Sequence, residues 1–95
     1  MTTIEHLDSF TGKEVTLRGW VVQHRSSKSM QFIELRDGTG FCQCIISRQD
    51  VSDLIWEEAL QLARESSLEI TGTVVRDERS QGGVELHASG LKILQ

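Results

Sequence analysis

Residues 30–47 of the chain are MQFIELRDGTGFCQCIIS, two short alternating runs on either side of a tight turn. Alternation of inward and outward side chains with a period of two predicts β-strands, and Asp37-Gly38-Thr39-Gly40 between them has the composition of a hairpin turn. One face of this hairpin carries Ile33, Leu35, Cys42, Cys44 and Ile46, and the other carries Phe32, Glu34, Arg36, Phe41, Gln43 and Ile45. The hairpin therefore has one apolar side for a core and one mixed side.

The segments around the hairpin predict three more strands. Alternation from Glu14 to Val22 predicts a first strand, in which Gly19 is costly unless the barrel bends or another backbone approaches there. Polar residues 23–29 then lead to the hairpin. Residues 68–75 predict a fourth strand, and residues 84–94 predict a fifth that is interrupted near Ser89 and Gly90.

Two helical segments complete the pattern. Residues 50–65 change to a 3.6-residue period, which predicts one helix of about four turns. Its apolar stripe is Val51, Leu54, Ile55, Ala59, Leu62 and Ala63. Residues 3–8 are consistent with one helical turn that is capped by Thr3 and packs Ile4 and Leu7 against the core.

The order of three strands, one helix and two strands indicates the fold. It predicts a mainly all-β chain, a five-stranded Greek-key OB-fold barrel with its helix between strands three and four. An SH3-like barrel lacks this helix, and a ferredoxin-like fold needs a second one. Because the sequence contains no proline, no repeat and no low-complexity tract, we expect residues 1–95 to form a single domain.

Composition and charge exclude several classes of protein. The net charge of −4 argues against a nonspecific nucleic-acid coat protein, which is usually basic. Residues 1–48 carry six basic and five acidic side chains, whereas residues 49–95 carry four and nine. If nucleic acid binds, the first half is therefore expected to bind it. No apolar run approaches the roughly 20 residues that span a bilayer, and the N-terminus lacks a secretory pattern, so we predict a cytoplasmic location.

The sequence contains no recognisable catalytic or metal-binding motif. Cys42 and Cys44 lie two apart on one strand and should share a face, where they are interpreted as small buried apolar side chains. His24 and His87 have no evident acidic partner in the sequence and are interpreted as surface residues. The turn chemistry of Asp37 accounts for its presence.

Four residues are candidates for RNA binding. Phe32 is an aromatic on the mixed face of strands two and three, the ligand face of OB-folds, where it would stack on a base; alternatively, a loop covers it. Gln43 offers a donor and an acceptor to a base edge, although an ordinary surface glutamine is the alternative. Arg25 and Lys28 would contact phosphates or simply lie in a solvated loop.

These segments together resemble the anticodon-binding domain of class IIb aminoacyl-tRNA synthetases, the aspartyl, asparaginyl and lysyl enzymes. The resemblance is carried by LRGWV (17–21) with RSS (25–27), and by FIELRDGTGFCQ (32–43). The runs ESS (65–67), TGTV (71–74) and GGVEL (82–86) are similar to the bacterial asparaginyl type in particular. The resemblance covers nearly the whole chain.

The resemblance implies roles for individual residues. Phe32 would stack on the central anticodon uridine and Gln43 would hydrogen-bond it. Arg25 would contact the anticodon nucleotides or their backbone, and Glu85 would help to recognise the first anticodon base. The partner is then a tRNA anticodon loop, bound by a domain that is monomeric in isolation and belongs to a homodimeric enzyme.

The resemblance also implies what the chain lacks. The family's enzymes continue into a catalytic domain that binds ATP and magnesium, so no cofactor is expected in this chain. The same domain of an aspartyl enzyme is the nearest alternative, since it also recognises a central uridine. A single-stranded DNA-binding OB protein usually has more stacking aromatics, and a protein-interaction OB module would leave Phe32 and Gln43 unexplained.

Overall fold

The predicted hairpin forms with the bounds expected from the sequence. In the computed structural model, which describes residues 2–95, β2 is Met30–Arg36 and β3 is Phe41–Ser47. Their antiparallel register pairs Ile33 with Cys44 and Leu35 with Cys42, and all four side chains are buried. The interpretation of the cysteines is confirmed: both are free and buried, and a hydrogen bond with Cys42 together with burial raises the pKa of the Cys44 thiol well above its usual range.

The five strands close into a barrel. The remaining strands are β1 Glu14–Ser26, β4 Ser67–Arg76 and β5 Val84–Ile93, and the order around the barrel is β1-β2-β3-β5-β4. All neighbours are antiparallel except β3 and β5, which are parallel. With a helix between β3 and β4, this is the predicted OB-fold. Among residues 2–95, no helix has the length and apolarity needed to cross a membrane.

The helix is shorter than the sequence predicts. Helix α1 is Asp53–Leu60, because the Ser52 hydroxyl accepts a hydrogen bond from the Ile55 amide and starts the helix there. Residues 48–50 form a separate 3-10 turn. Trp56 and Ala59, one turn apart, are the buried side chains of this two-turn helix, so Leu54 of the predicted stripe is left 69% exposed. The exposed Ala63 lies beyond the end of the helix.

The N-terminal segment is a 3-10 helix, Ile4–Phe10, that buries Ile4 and Leu7 as predicted. Its cap is not the predicted one, since the Thr3 side chain makes no capping hydrogen bond. Asp37 takes that role: its Oδ2 accepts from the Ile4 amide at 2.8 Å, while its Oδ1 accepts from the Thr39 amide at 2.8 Å. The hairpin turn therefore also anchors the N-terminus.

Asp37→Ala should lower the free energy of unfolding by about 1 kcal/mol, the typical effect of losing a helix cap. Burial raises the pKa of the Asp37 carboxyl, but hydrogen bonds from Thr39, Ile4 and Gly40 outweigh burial and hold it below its usual 3.8. The stabilisation by these hydrogen bonds is therefore fully present above pH 3.8. It is lost as the pH falls through the lower pKa that Asp37 has in the folded protein. Urea unfolding of the wild-type chain and of Asp37→Ala from pH 3 to 7 measures the loss of stability and its dependence on pH. The exposed Asp8→Ala is the control; an equal loss in both variants contradicts the capping role.

Two β-bulges shape the barrel. The β1–β2 register shifts between Val21 and Gln23, so Val22 is an extra residue in β1. The β4–β5 register shifts between Thr71 and Gly72, and Ser89 is the unpaired residue opposite, which is the predicted interruption. Gly19 also behaves as predicted, because a Cβ there would overlap the carbonyl oxygen of Arg36 on β2.

Candidate nucleic-acid interface

Two rows of side chains cross the outer face of β1, β2, β3 and β5. The register pairs Arg25 with Phe32, Phe32 with Ile45, and Ile45 with His87; we call these four residues the Phe32 row. Two residues along each strand, the register pairs Gln23 with Glu34 and Glu34 with Gln43. The parallel pairing of Cys44 with Leu86, continued by one residue, brings Glu85 beside Gln43. We call Gln23, Glu34, Gln43 and Glu85 the Gln43 row.

The bulge at Val22 decides which residues of β1 join these rows. Before the bulge, odd-numbered side chains such as Leu17 and Val21 are buried; after it, odd-numbered Gln23 and Arg25 are exposed. Arg25 therefore lies within β1 opposite Phe32, and not in the polar loop that the sequence predicted. Lys28 is exposed in the β1–β2 turn, beyond the end of the Phe32 row.

Phe32 has a defined environment on the face. Its ring is half-buried, and the guanidinium of Arg25 lies over it, 5.6 Å from the ring centroid. Ile45, on the other side of Phe32, is only 9% exposed. Ile45 is not among the residues that the sequence predicts to bind RNA, although the alternating pattern already places it on the same strand face as Gln43. The result is an apolar floor with a cation at its edge, which suits a flat aromatic ligand.

The Gln43 row combines a neutral amide with carboxylates. Gln43 is half-buried and lies directly opposite Glu34 on β2. Phe32 is its diagonal neighbour, a separation of about 7–8 Å in antiparallel sheets. A ring lying on Phe32 can thus direct its edge toward the Gln43 amide, which supplies both a donor and an acceptor.

His87 lies on the surface as predicted, but it has an acidic partner that the sequence interpretation did not identify. Its Nε2 lies 2.7 Å from Oε1 of Glu85, whose other oxygen accepts a weak hydrogen bond from Ser80 at 3.5 Å. Glu85 is 8% exposed and His87 is exposed. Residues two apart on one strand share a face, so the spacing of Glu85 and His87 was the signal. The pair lies at the end of both rows, beside the β4–β5 loop.

His24, by contrast, is not the surface residue that the sequence predicted. It is half-buried on the inner side of β1, with Nδ1 3.1 Å from the Leu62 carbonyl oxygen and Nε2 2.8 Å from Oε1 of Gln31. Gln31 is completely buried and donates to the Trp56 carbonyl. This network joins the end of α1 to β1 and β2 beneath the Phe32 row, so its role is to hold the barrel end in place.

Comparison with known proteins places this chain in a family. The family model for the OB-fold nucleic acid binding domain of the tRNA anticodon type matches residues 15–94. The asparagine–tRNA ligases of Symbiobacterium thermophilum and Roseiflexus castenholzii are each 43% identical over 98% of this chain. The crystal structure of asparaginyl-tRNA synthetase from Pyrococcus horikoshii, complexed with asparaginyl-adenylate, superposes on 99% of the chain with 34% identity and a TM-score of 0.92.

These matches cover only one part of each relative. It spans 21% of the two ligases and 22% of the crystallised synthetase chain. The matched part is the β-barrel, and the catalytic domain of the synthetase is absent from this chain. The chain belongs to the OB-fold family of anticodon-binding domains, and it resembles in particular that domain of the asparaginyl-tRNA synthetases.

Proposed function

We propose that this chain binds the anticodon loop of a tRNA that accepts asparagine, and that it recognises the central uridine through Phe32 and Gln43. The observation that carries the proposal is the alignment of the Phe32 row and the Gln43 row on one outer face. The first row supplies a stacking surface, and the second supplies donors and acceptors at the edge of a stacked base. Core residues occupy the opposite side of the same strands, so this face is free to bind.

The two rows divide the recognition between them. Stacking on Phe32 is tolerant of base identity because every base has a π face. The Gln43 amide matches the adjoining carbonyl and imino groups of the uridine edge. Glu85 accepts hydrogen bonds only, which suits a base with donors on its edge, and its hydrogen bond with His87 fixes the direction of its carboxylate.

The direct experiment is titration of the chain with an anticodon stem-loop. A loop with the sequence GUU should bind more tightly than loops with GUC or GAU. The GUC loop tests the aspartyl alternative, and the GAU loop removes the central uridine. Equal binding of GUU and GAU would refute recognition of the central uridine, and tighter binding of GUC would assign the domain to aspartate.

Gln43→Ala should reduce discrimination more than affinity. Loss of one hydrogen bond at a base edge costs about 1 kcal/mol, and that cost applies to the central uridine but not to a central adenine or cytosine. The measurement is the affinity ratio for central U against central A or C. The exposed Gln49→Ala, in the 3-10 turn after β3, is the control. If Gln43→Ala retains the full preference for U, another residue recognises the base.

The salt dependence of binding should be shallow. Each phosphate contact contributes about 0.7 to the logarithmic salt slope for single strands, so two contacts by Arg25 and Lys28 give about 1.4. Arg25→Gln should reduce the slope by about half, whereas Lys92→Gln on β5 should leave it unchanged. A slope near that of a repressor with about ten phosphate contacts would show that a different, more basic surface binds the RNA.

A further inference from the structure

A groove opens on the barrel surface where β2 begins and β3 ends. One step beyond the Phe32 row, the register pairs Met30 with Ser47, and both side chains are half-buried. Arg48 follows Ser47 in the 3-10 turn after β3, and its amide donates to the Ser29 carbonyl oxygen at 2.9 Å. Ser29, Met30, Ser47 and Arg48 line a groove of about 370 Å³, which we call the Arg48 groove.

The Arg48 groove carries positive charge that no carboxylate neutralises. Arg48 is exposed, as is Lys28, which precedes Ser29 in the β1–β2 turn. Among residues 2–95, neither cation forms an ion pair with an acidic side chain, and this includes Asp50 in the same turn as Arg48. The Arg48 guanidinium lies over the Trp56 ring, 5.5 Å from its centroid. Arginine, lysine and serine side chains are common contacts of phosphate oxygens, so the composition of the groove suits a phosphate.

The position of the groove matches the path of a nucleotide bound to the two rows. A pyrimidine that stacks on Phe32 and directs its Watson–Crick edge toward Gln43 has its glycosidic bond on the opposite side of the ring. Its ribose and phosphate then extend away from Gln43, along β2 and β3 toward Met30 and Ser47. The step from Phe32 to Met30 is two residues, or about 7 Å along the strand, and a ribose with its phosphate can cover that length.

From this geometry we infer that the Arg48 groove binds one of the two phosphates that flank the central uridine. The inference rests on the proposed function, because the direction of the RNA backbone follows from stacking on Phe32 with the base edge at Gln43. Arg48 shares this phosphate with Lys28, so the number of neutralised phosphates and the shallow salt slope stay the same. A phosphate contact carries no information about the base. Arg48 therefore contributes affinity, whereas Gln43 contributes discrimination.

Arg48→Gln should weaken binding of the GUU stem-loop about fivefold to tenfold, because a hydrogen bond to a charged group is lost. The GAU stem-loop should lose affinity by the same factor, since the lost contact is to the backbone. Arg18→Gln is the matched control: Arg18 lies on β1 and already pairs with Glu69 at 3.2 Å, so its removal should change neither affinity. Fluorescence anisotropy measures the affinities, and thermal unfolding checks that the fold survives loss of the contact with Trp56.

A neutral methylphosphonate in place of one phosphate locates the contact on the RNA. The replacement is made singly, on the 5′ side and on the 3′ side of the central uridine. One of the two should weaken binding by the wild-type chain about fivefold or more, and it should weaken binding by Arg48→Gln clearly less. Arg48→Lys, which keeps the positive charge, should remain sensitive to that same replacement. A general change in packing around Trp56 would not produce this pattern.

Two results would overturn the assignment of the Arg48 groove. One is equal sensitivity of the wild-type chain and Arg48→Gln to both methylphosphonates, and the other is loss of affinity for GUU alone in Arg48→Gln. Equal binding of the unmodified GUU and GAU loops by the wild-type chain is a different failure. It counts against recognition of the central uridine, while the methylphosphonate comparison still decides whether Arg48 contacts a phosphate.

Discussion

Gly72→Ala should destabilise the barrel by about 3 kcal/mol or more, at the upper end of overpacking effects. A Cβ at Gly72 would lie 2.7 Å from the His87 carbonyl carbon and 2.8 Å from the Ala88 Cα, and closer still to the His87 carbonyl oxygen. These are backbone atoms of β5, so no side chain can rotate to make room. Urea unfolding monitored by circular dichroism measures the loss, which is a large share of a stability of about 5–15 kcal/mol.

Gly90→Ala is the matched control, because Gly90 lies on the adjacent strand beside the same bulge. A Cβ there would meet only the Thr71 Cβ, at 4.0 Å, which is an ordinary contact. Replacement of glycine by alanine without strain also reduces the entropy of the unfolded chain, so we expect no loss of stability. If Gly72→Ala is as stable as Gly90→Ala, β4 and β5 do not approach each other as closely as the structure shows.

Phe32→Ala should weaken binding of the GUU stem-loop by tenfold or more. Base stacking on an aromatic side chain is worth roughly 1–3 kcal/mol, and 1.4 kcal/mol corresponds to about a factor of ten. The fold should remain intact, since Phe32 lies on the outer face and belongs to none of the buried core. Fluorescence anisotropy of a labelled stem-loop measures the affinity, and thermal unfolding of the variant checks the fold.

Phe41→Ala provides the comparison on the same sheet. Phe41 is the more exposed ring and lies at the other end of β3 from the Phe32 row. Its removal should leave RNA affinity unchanged. Equal weakening by both variants would mean that the RNA covers the whole sheet and that Phe32 has no special role. Unfolding of Phe32→Ala would show that Phe32 supports the core.

The hairpin was predictable because its information is local. The turn from Asp37 to Gly40 sets the register of β2 against β3, and once the register is known the alternating pattern decides which side chains face inward. The positions of Phe32 and Gln43 on neighbouring strands of the outer face follow directly. Their roles in binding RNA are still predictions, because those depend on a ligand.

The remainder of the candidate site depends on contacts that alternation cannot reveal. A simple period of two, continued from Val21, would turn Arg25 into the barrel, and only the bulge at Val22 brings it to the outer face. The proximity of Glu85 to Gln43 follows from the parallel pairing of the adjacent Cys44 with Leu86, which joins segments far apart in the sequence. The sequence predicts too long a helix because the apolar stripe continues to Leu62 and Ala63, whereas α1 ends at Leu60.

The closure of the barrel has a consequence for how the domain folds. β2 and β3 are joined by a short turn, whereas the pairing of β1 with β4, which closes the barrel, joins residues as distant as Glu14 and Thr73. Such distant pairings form slowly, on a scale of milliseconds to seconds, because the intervening loop must first be closed. Phe32 and Gln43 therefore come together in the earliest, most local unit of structure. Glu85 reaches this unit only through the distant pairing of β3 with β5, so we expect a transient opening between these two strands to separate Glu85 from Gln43 while Phe32 and Gln43 stay together.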